Sequence, residues 1–222
     1  MKQKIEIDIE IIEELLKNQT SKEMLFQSFN FILPNKTNKN YLSFCIIILL
    51  SMIPSVLIGF SSDTISLIKS SAEKINEAMI ALFGIVFTGY AFFQALINKE
   101  LLLRMLSSDE GDKDSRKKQV KKSRLQISNE YFVKVMMLQG FSIIISLFLG
   151  ISLDAIPNNW SLFDNLIMNN SIAFLAIWLY LSFNFLIVWE IKSFVFNVFQ
   201  LFNAHAGAKV LTMLNGKQNE ED

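Results

Sequence analysis

Histidine and cysteine are almost absent from this chain, with one of each, His205 and Cys45, in 222 residues. A lone histidine cannot supply the paired imidazoles of a zinc-hydrolase helix. A lone cysteine can form no internal disulfide and no thiolate metal site. Cys45 lies inside an apolar run and reads as a small packing residue. Three prolines and eight glycines argue against a loop-rich or low-complexity protein, and the glycines form neither a phosphate-binding nor a dinucleotide-binding pattern. Asp109, Asp112 and Asp114 have no glutamate at the distance a calcium loop needs. No apolar run carries a close pair of carboxylates or a serine–histidine arrangement. The sequence therefore nominates no catalytic residue, no cofactor site and no metal ligand, and predicts a protein that is not an enzyme.

Charge is the other scarcity, and it is local. Residues 40–62, 78–98, 135–153 and 165–189 contain no Asp, Glu, Lys or Arg. A bilayer core about 30 Å thick requires roughly 20 apolar helical residues, and each run meets that length. Hydrophobic residues make up 51% of the chain and include 20 phenylalanines, more apolar side chain than a soluble domain of this size needs. The expected fold class is all-α: a polytopic membrane protein with four transmembrane helices and cytoplasmic helical extensions. The expected spans are 40–62, 78–98, 135–153 and 171–190.

Orientation follows from the positive charges. The formal net charge is zero, with 21 basic and 21 acidic residues, but the two signs are segregated. Lys and Arg number six in residues 1–39, two in 63–77, ten in 99–134, none in 154–164 and three from 191 onward. Basic residues stay on the cytoplasmic side, so both termini and the 99–134 segment are expected there. The first 40 residues contain no basic patch followed by a short apolar stretch, so the first span is expected to act as its own insertion signal.

The extramembrane parts carry pattern as well. Ile5, Ile7, Ile9 and Ile11 alternate with Glu6, Asp8 and Glu10, a strand-like period that would need a pairing partner. A frayed, charged helix start running into Glu13 and Leu16 fits the same residues. Thr20 and Glu23 have the spacing of a capping box for a short helix through Phe31, expected on the inner membrane face or on a partner. Helical spacing beyond residue 98 and from 119 to 136 predicts a cytoplasmic hairpin over 99–134. Residues 191–222 read as a Phe-rich helix and an acidic tail.

Three sets of residues are candidates for packing or recognition. Ser51, Ser55 and Gly59 in the first span, and Ser142, Ser146 and Gly150 in the third, repeat small side chains every four residues, a spacing that lets helices approach closely in lipid. Thr88, Tyr90, Gln94, Gln139 and Asn184 are the polar groups expected inside the membrane. They are read as interhelical hydrogen-bond partners first and as the lining of a narrow pore second. Pro54 is expected to bend the first span and release the Leu50 carbonyl, which Ser51 or water would satisfy.

The remaining candidates lie outside the spans. Arg116, Lys117, Lys118, Lys121, Lys122 and Arg124 form a basic run that fixes topology and suits anionic lipid headgroups or a protein partner. Without interleaved aromatics it gives no support for single-strand stacking, and no sequence-specific nucleic-acid binding is expected. The 154–170 connection, with Trp160, Phe163 and Leu166 and no Lys or Arg, is the candidate outer sensing loop.

The stretch ALFGIVFTGYAFFQALINKELLL from Ala81 to Leu103, four spans, a basic inner loop and the Phe-rich extension together resemble the four-span membrane subunit of the Kiwa anti-phage system. The resemblance implies an inner-membrane homo-oligomer that senses phage attack and works with a cytoplasmic DNA-binding partner. It transfers no individual residue role. The expected function is a sensor and scaffold subunit of a bacterial defence complex, in contact with the lipid bilayer and a cytoplasmic protein. A pore-forming or holin-like effector is the alternative, followed by a small-solute transporter or lipid-interacting accessory.

Overall fold

The computed structural model describes residues 20–33, 40–97, 102, 105–106, 123–158 and 160–218. It is all-helical over these residues, with five helices in chain order: α1 Ser21–Ile32, α2 Asn40–Gly59, α3 Thr64–Leu96, α4 Arg124–Asp154 and α5 Leu166–Gln218. The last four are long and apolar enough to cross a membrane. The protein is a four-span helical membrane protein. The alternating isoleucines at 5–11 lie outside the described residues.

Thr20 caps α1 as its spacing predicts. Its hydroxyl accepts from the Glu23 amide at 3.3 Å, and the Glu23 carboxylate accepts from the Thr20 amide at 3.3 Å. The reciprocal pair satisfies two amides that a helix start would otherwise leave bare. α1 packs on its own chain. Phe29 meets Phe141 of α4 edge-on at 5.0 Å and stacks on Phe183 of α5 at 6.1 Å, while Phe31 meets Tyr131 at 5.4 Å. The short helix therefore sits against α4 and α5.

The long helices form two antiparallel pairs, α2 with α5 and α3 with α4. Packing of α5 against α3 and α4 joins the pairs. The α3 stripe Ala72, Met79, Val86 and Phe93 is buried at strict seven-residue spacing, the repeat that keeps one face of a long helix on its neighbour. Near the start of α4, Phe132 stacks on Phe93 of α3 at 5.4 Å and meets Phe194 of α5 edge-on at 5.7 Å. This aromatic cluster ties three helices together.

One boundary differs from the sequence expectation. α3 starts at Thr64, so most of the expected 63–77 connection is helix. Only a tight turn, 60–63, separates it from α2. The Thr64 hydroxyl contacts the carbonyls of Ser61 at 2.7 Å and Ile58 at 3.1 Å, which fixes the start of α3 level with the end of α2. α5 runs through residue 190 as one continuous helix to Gln218. Of the expected 99–134 hairpin, the described residues are Leu102, Met105 and Leu106, all helical, and the start of α4.

Candidate functional site

The polar side chains of α5 are divided between two neighbours. Phe174, Trp178 and Ser182, four residues apart, face α2. The Ser182 and Ser51 hydroxyls lie 2.6 Å apart, and the Trp178 indole donates to the Ile48 carbonyl at 3.0 Å. Ser51 donates to the same carbonyl at 2.7 Å, so its oxygen is left to accept from Ser182. Ser55 donates to the Ser51 carbonyl at 2.7 Å. The Ser51 hydroxyl thus turns to Ile48 and not, as expected, to the Leu50 carbonyl that Pro54 releases. Gly59 closes the contact, because a Cβ there would lie 2.7 Å from the Phe174 Cα. The first small-residue ridge is a close contact within one chain.

The second ridge faces the other side of α5. Ser142 donates to the Asn184 carboxamide oxygen, and the Asn184 amide donates to the Tyr180 carbonyl at 2.8 Å. Ser146 pairs with the Tyr180 hydroxyl at 2.7 Å. Ser142, Ser146 and Asn184 are buried. Gly150 does not belong to this contact, since a Cβ there meets nothing within 4 Å.

The remaining expected intramembrane groups separate. Tyr90 donates to Asn129 of α4 at 2.8 Å, an interhelical bond. Thr88 donates to the Gly84 carbonyl of its own helix at 2.8 Å and is exposed, as is Gln94. Gln139 is fully buried, yet neither polar atom of its carboxamide has a hydrogen-bond partner among the described residues. Burial without a partner is costly for such a group. These residues form no continuous polar line along one axis.

At one end of the bundle a cavity of about 330 Å³ opens between the 60–63 turn, the start of α3, the end of α4 and the start of α5. Its walls include Ser61, Ile68, Leu153, Trp160, Leu166 and Asn170, with no charged side chain. Trp160 and Leu166 were expected in a sensing loop and both line it. Phe163, the third expected residue, is half-buried outside it. Next to the lining residues Ile68 and Leu153 stands the Lys69–Asp154 ion pair, which joins α3 to α4. Apolar walls with hydroxyl and carboxamide groups suit an uncharged ligand with one polar end.

At the opposite end, the α5 extension buries Phe194 and Leu201 and exposes Phe196, Phe199 and Phe202. Lys192 lies over the Trp189 ring, 4.5 Å from its centroid. Of the basic run, Arg124 opens α4, and Arg116, Lys117, Lys118, Lys121 and Lys122 lie outside the described residues.

Sequence reasoning missed Tyr180, Ser182 and Trp178, although each bonds across a helix interface. The signal was present as a polar or semi-polar group at every second position, Tyr180, Ser182 and Asn184, which serves two faces of one helix. No protein-family model, curated protein or solved structure matches the chain.

Proposed function

We propose that this protein is an inner-membrane sensor and scaffold subunit of a bacterial anti-phage defence complex. It assembles as a homo-oligomer, keeps both termini in the cytoplasm and signals to a cytoplasmic protein partner. The observation that carries the reading is the continuity of α5. One helix begins at the wall of the uncharged outer cavity and ends in an extension with Phe196, Phe199 and Phe202 exposed. A contiguous apolar surface of this kind marks an interaction site. Ligand or lipid disturbance at the cavity acts on the same rigid element that presents that surface. The resemblance of the layout to the Kiwa membrane subunit supports the defence setting.

The use of the intramembrane polar groups favours this reading over a pore. Ser51, Ser142, Ser146, Tyr180, Ser182 and Asn184 are engaged in holding helices together, so they do not line a water path.

The test is recovery of the tagged full chain from membranes in mild detergent, before and after phage infection. A defined cytoplasmic protein is expected to co-purify, and changing Phe196, Phe199 and Phe202 together to Ser is expected to release it while the chain stays in the membrane. Recovery of no cytoplasmic protein in either condition overturns the reading. A collapse of membrane potential on expression alone would favour the pore.

A further inference from the structure

The charges on α3 are at an unexpected height. α2 is 20 residues long, about 30 Å of helix, so it just spans a bilayer core and ends at the outer edge with Gly59. The Thr64 hydroxyl touches the Ile58 carbonyl, so α3 starts at that edge and runs back inward. The pairings agree. Gly59 lies against Phe174, Tyr180 pairs with Ser146, and Lys69 pairs with Asp154 eight residues above Ser146. Lys69 therefore stands level with the ends of α2 and α4, about 7.5 Å below the start of its own helix at 1.5 Å per residue. Glu73, Lys74 and Glu77 follow at about 6, 7.5 and 12 Å below it, at 1.5 Å per residue. That depth is level with the uncharged outer halves of α2, α4 and α5.

All three side chains are exposed, and none makes a salt bridge with a described residue. Ionised groups at such depth face protein or water, not lipid. Lys74 and Glu77 lie opposite the buried Ala72–Met79–Val86–Phe93 stripe, and Glu73 lies at the edge of the same exposed face. Below them the same face continues through Ala81, Gly84 and Thr88, all exposed, and a Cβ on Gly84 would meet nothing within 4 Å. Larger apolar side chains, Ile80 and Phe87 on one side and Ile85 on the other, border this narrow strip and are exposed too.

We propose that this face of α3 lies within the bilayer and is covered by a second copy of the chain, the Lys74 of each copy pairing with a carboxylate, Glu73 or Glu77, of the other. The occupant follows from charge complementarity. Copies inserted in the same orientation are related by rotation about the membrane normal, which preserves depth. Lys74 of one copy then falls within a turn of both carboxylates of the next. The strip of small residues below lets the two α3 helices approach closely. The proposal rests on the four-span reading and names the face used by the homo-oligomer proposed above; its failure leaves the sensor reading standing.

The experiment uses the full chain in native membranes with Cys45 changed to Ser and single cysteines at Ala81, Gly84 or, as a control, Leu57 on the exposed face of α2. A short bis-maleimide is expected to give dimers at 81 and 84 and at least tenfold less at 57. Lys74→Glu puts only acids at the interface and is expected to reduce the cross-linked species at least tenfold. Reversing every sign, with Glu73→Lys, Lys74→Glu and Glu77→Lys together, restores self-complementarity and is expected to restore the cross-link. Equal cross-linking at 57, or an unchanged cross-link in Lys74→Glu, overturns the proposal. So does rapid labelling of a cysteine at 77 by a membrane-impermeant maleimide, which would make this face water-lined or raise it above the bilayer.

Discussion

Gly59 of α2 lies so close to Phe174 of α5 that a Cβ at residue 59 would come within 2.8 Å of the Phe174 backbone nitrogen. A backbone atom cannot rotate away as a side chain can. The helices would have to part, and Ser51–Ser182 and Trp178–Ile48 share the same interface.

Gly59→Ala is therefore expected to destabilise the fold by about 1–3 kcal/mol, the usual range for overpacking. Gly150→Ala, at the matching position of the other ridge, is expected to change nothing because its Cβ meets open space. Unfolding in mixed detergent micelles measures both. Equal effects of the two substitutions would refute the assignment of the close contact to Gly59.

Ser142 and Asn184 act as a unit. Removing either side chain, by Ser142→Ala or Asn184→Leu, is expected to cost about 1 kcal/mol, in line with interhelical hydrogen bonds in membranes. The double substitution is expected to cost clearly less than the sum, since the second change removes a bond already lost. Strict additivity in the same unfolding assay would mean that the two side chains act separately.

Gln139→Leu is expected to raise stability by about 1 kcal/mol or more, because it replaces a buried, unpartnered carboxamide with an apolar group of similar size. A stabilised variant that no longer responds to phage would assign Gln139 a functional role. A loss of stability would mean that the carboxamide bonds a group beyond the described residues.

At the cavity lined by Trp160 and Leu166, Trp160→Ser combined with Leu166→Ser is expected to abolish the response to the trigger while membrane insertion and assembly persist. Phe163→Ser alone is expected to have a weaker effect because Phe163 lies outside the cavity. A phage-plaque assay with matched expression levels reads both. Full protection by the Trp160/Leu166 variant reduces the 154–170 segment to a connector.

The four long helices were legible because uncharged runs of bilayer length have few other uses. The start of α3 was not. Lys69, Glu73, Lys74 and Glu77 look like the end of a span when hydropathy alone is read. The helix continues through them because Ala72 and Met79 keep one face buried, and a seven-residue stripe tolerates any charge on the opposite side. The two small-residue ridges were visible, but identical spacing concealed unlike surroundings at Gly59 and Gly150. Tyr180 was passed over because its ring reads as apolar and its hydroxyl does not. The cavity draws its walls from two stretches far apart in the chain, 61–68 and 153–173, so neither stretch alone revealed it.

The unbroken length of α5 also limits how its C-terminal end can be influenced. From Glu190, the expected inner boundary, to Gln218 the helix extends about 40 Å at 1.5 Å per residue. The electrostatic screening length at physiological ionic strength is about 8 Å, so a tip projecting straight from the bilayer would stand several such lengths from the headgroups and beyond the reach of their charge. Binding at the tip should be indifferent to the proportion of anionic lipid, whereas binding near Lys192 should depend on it.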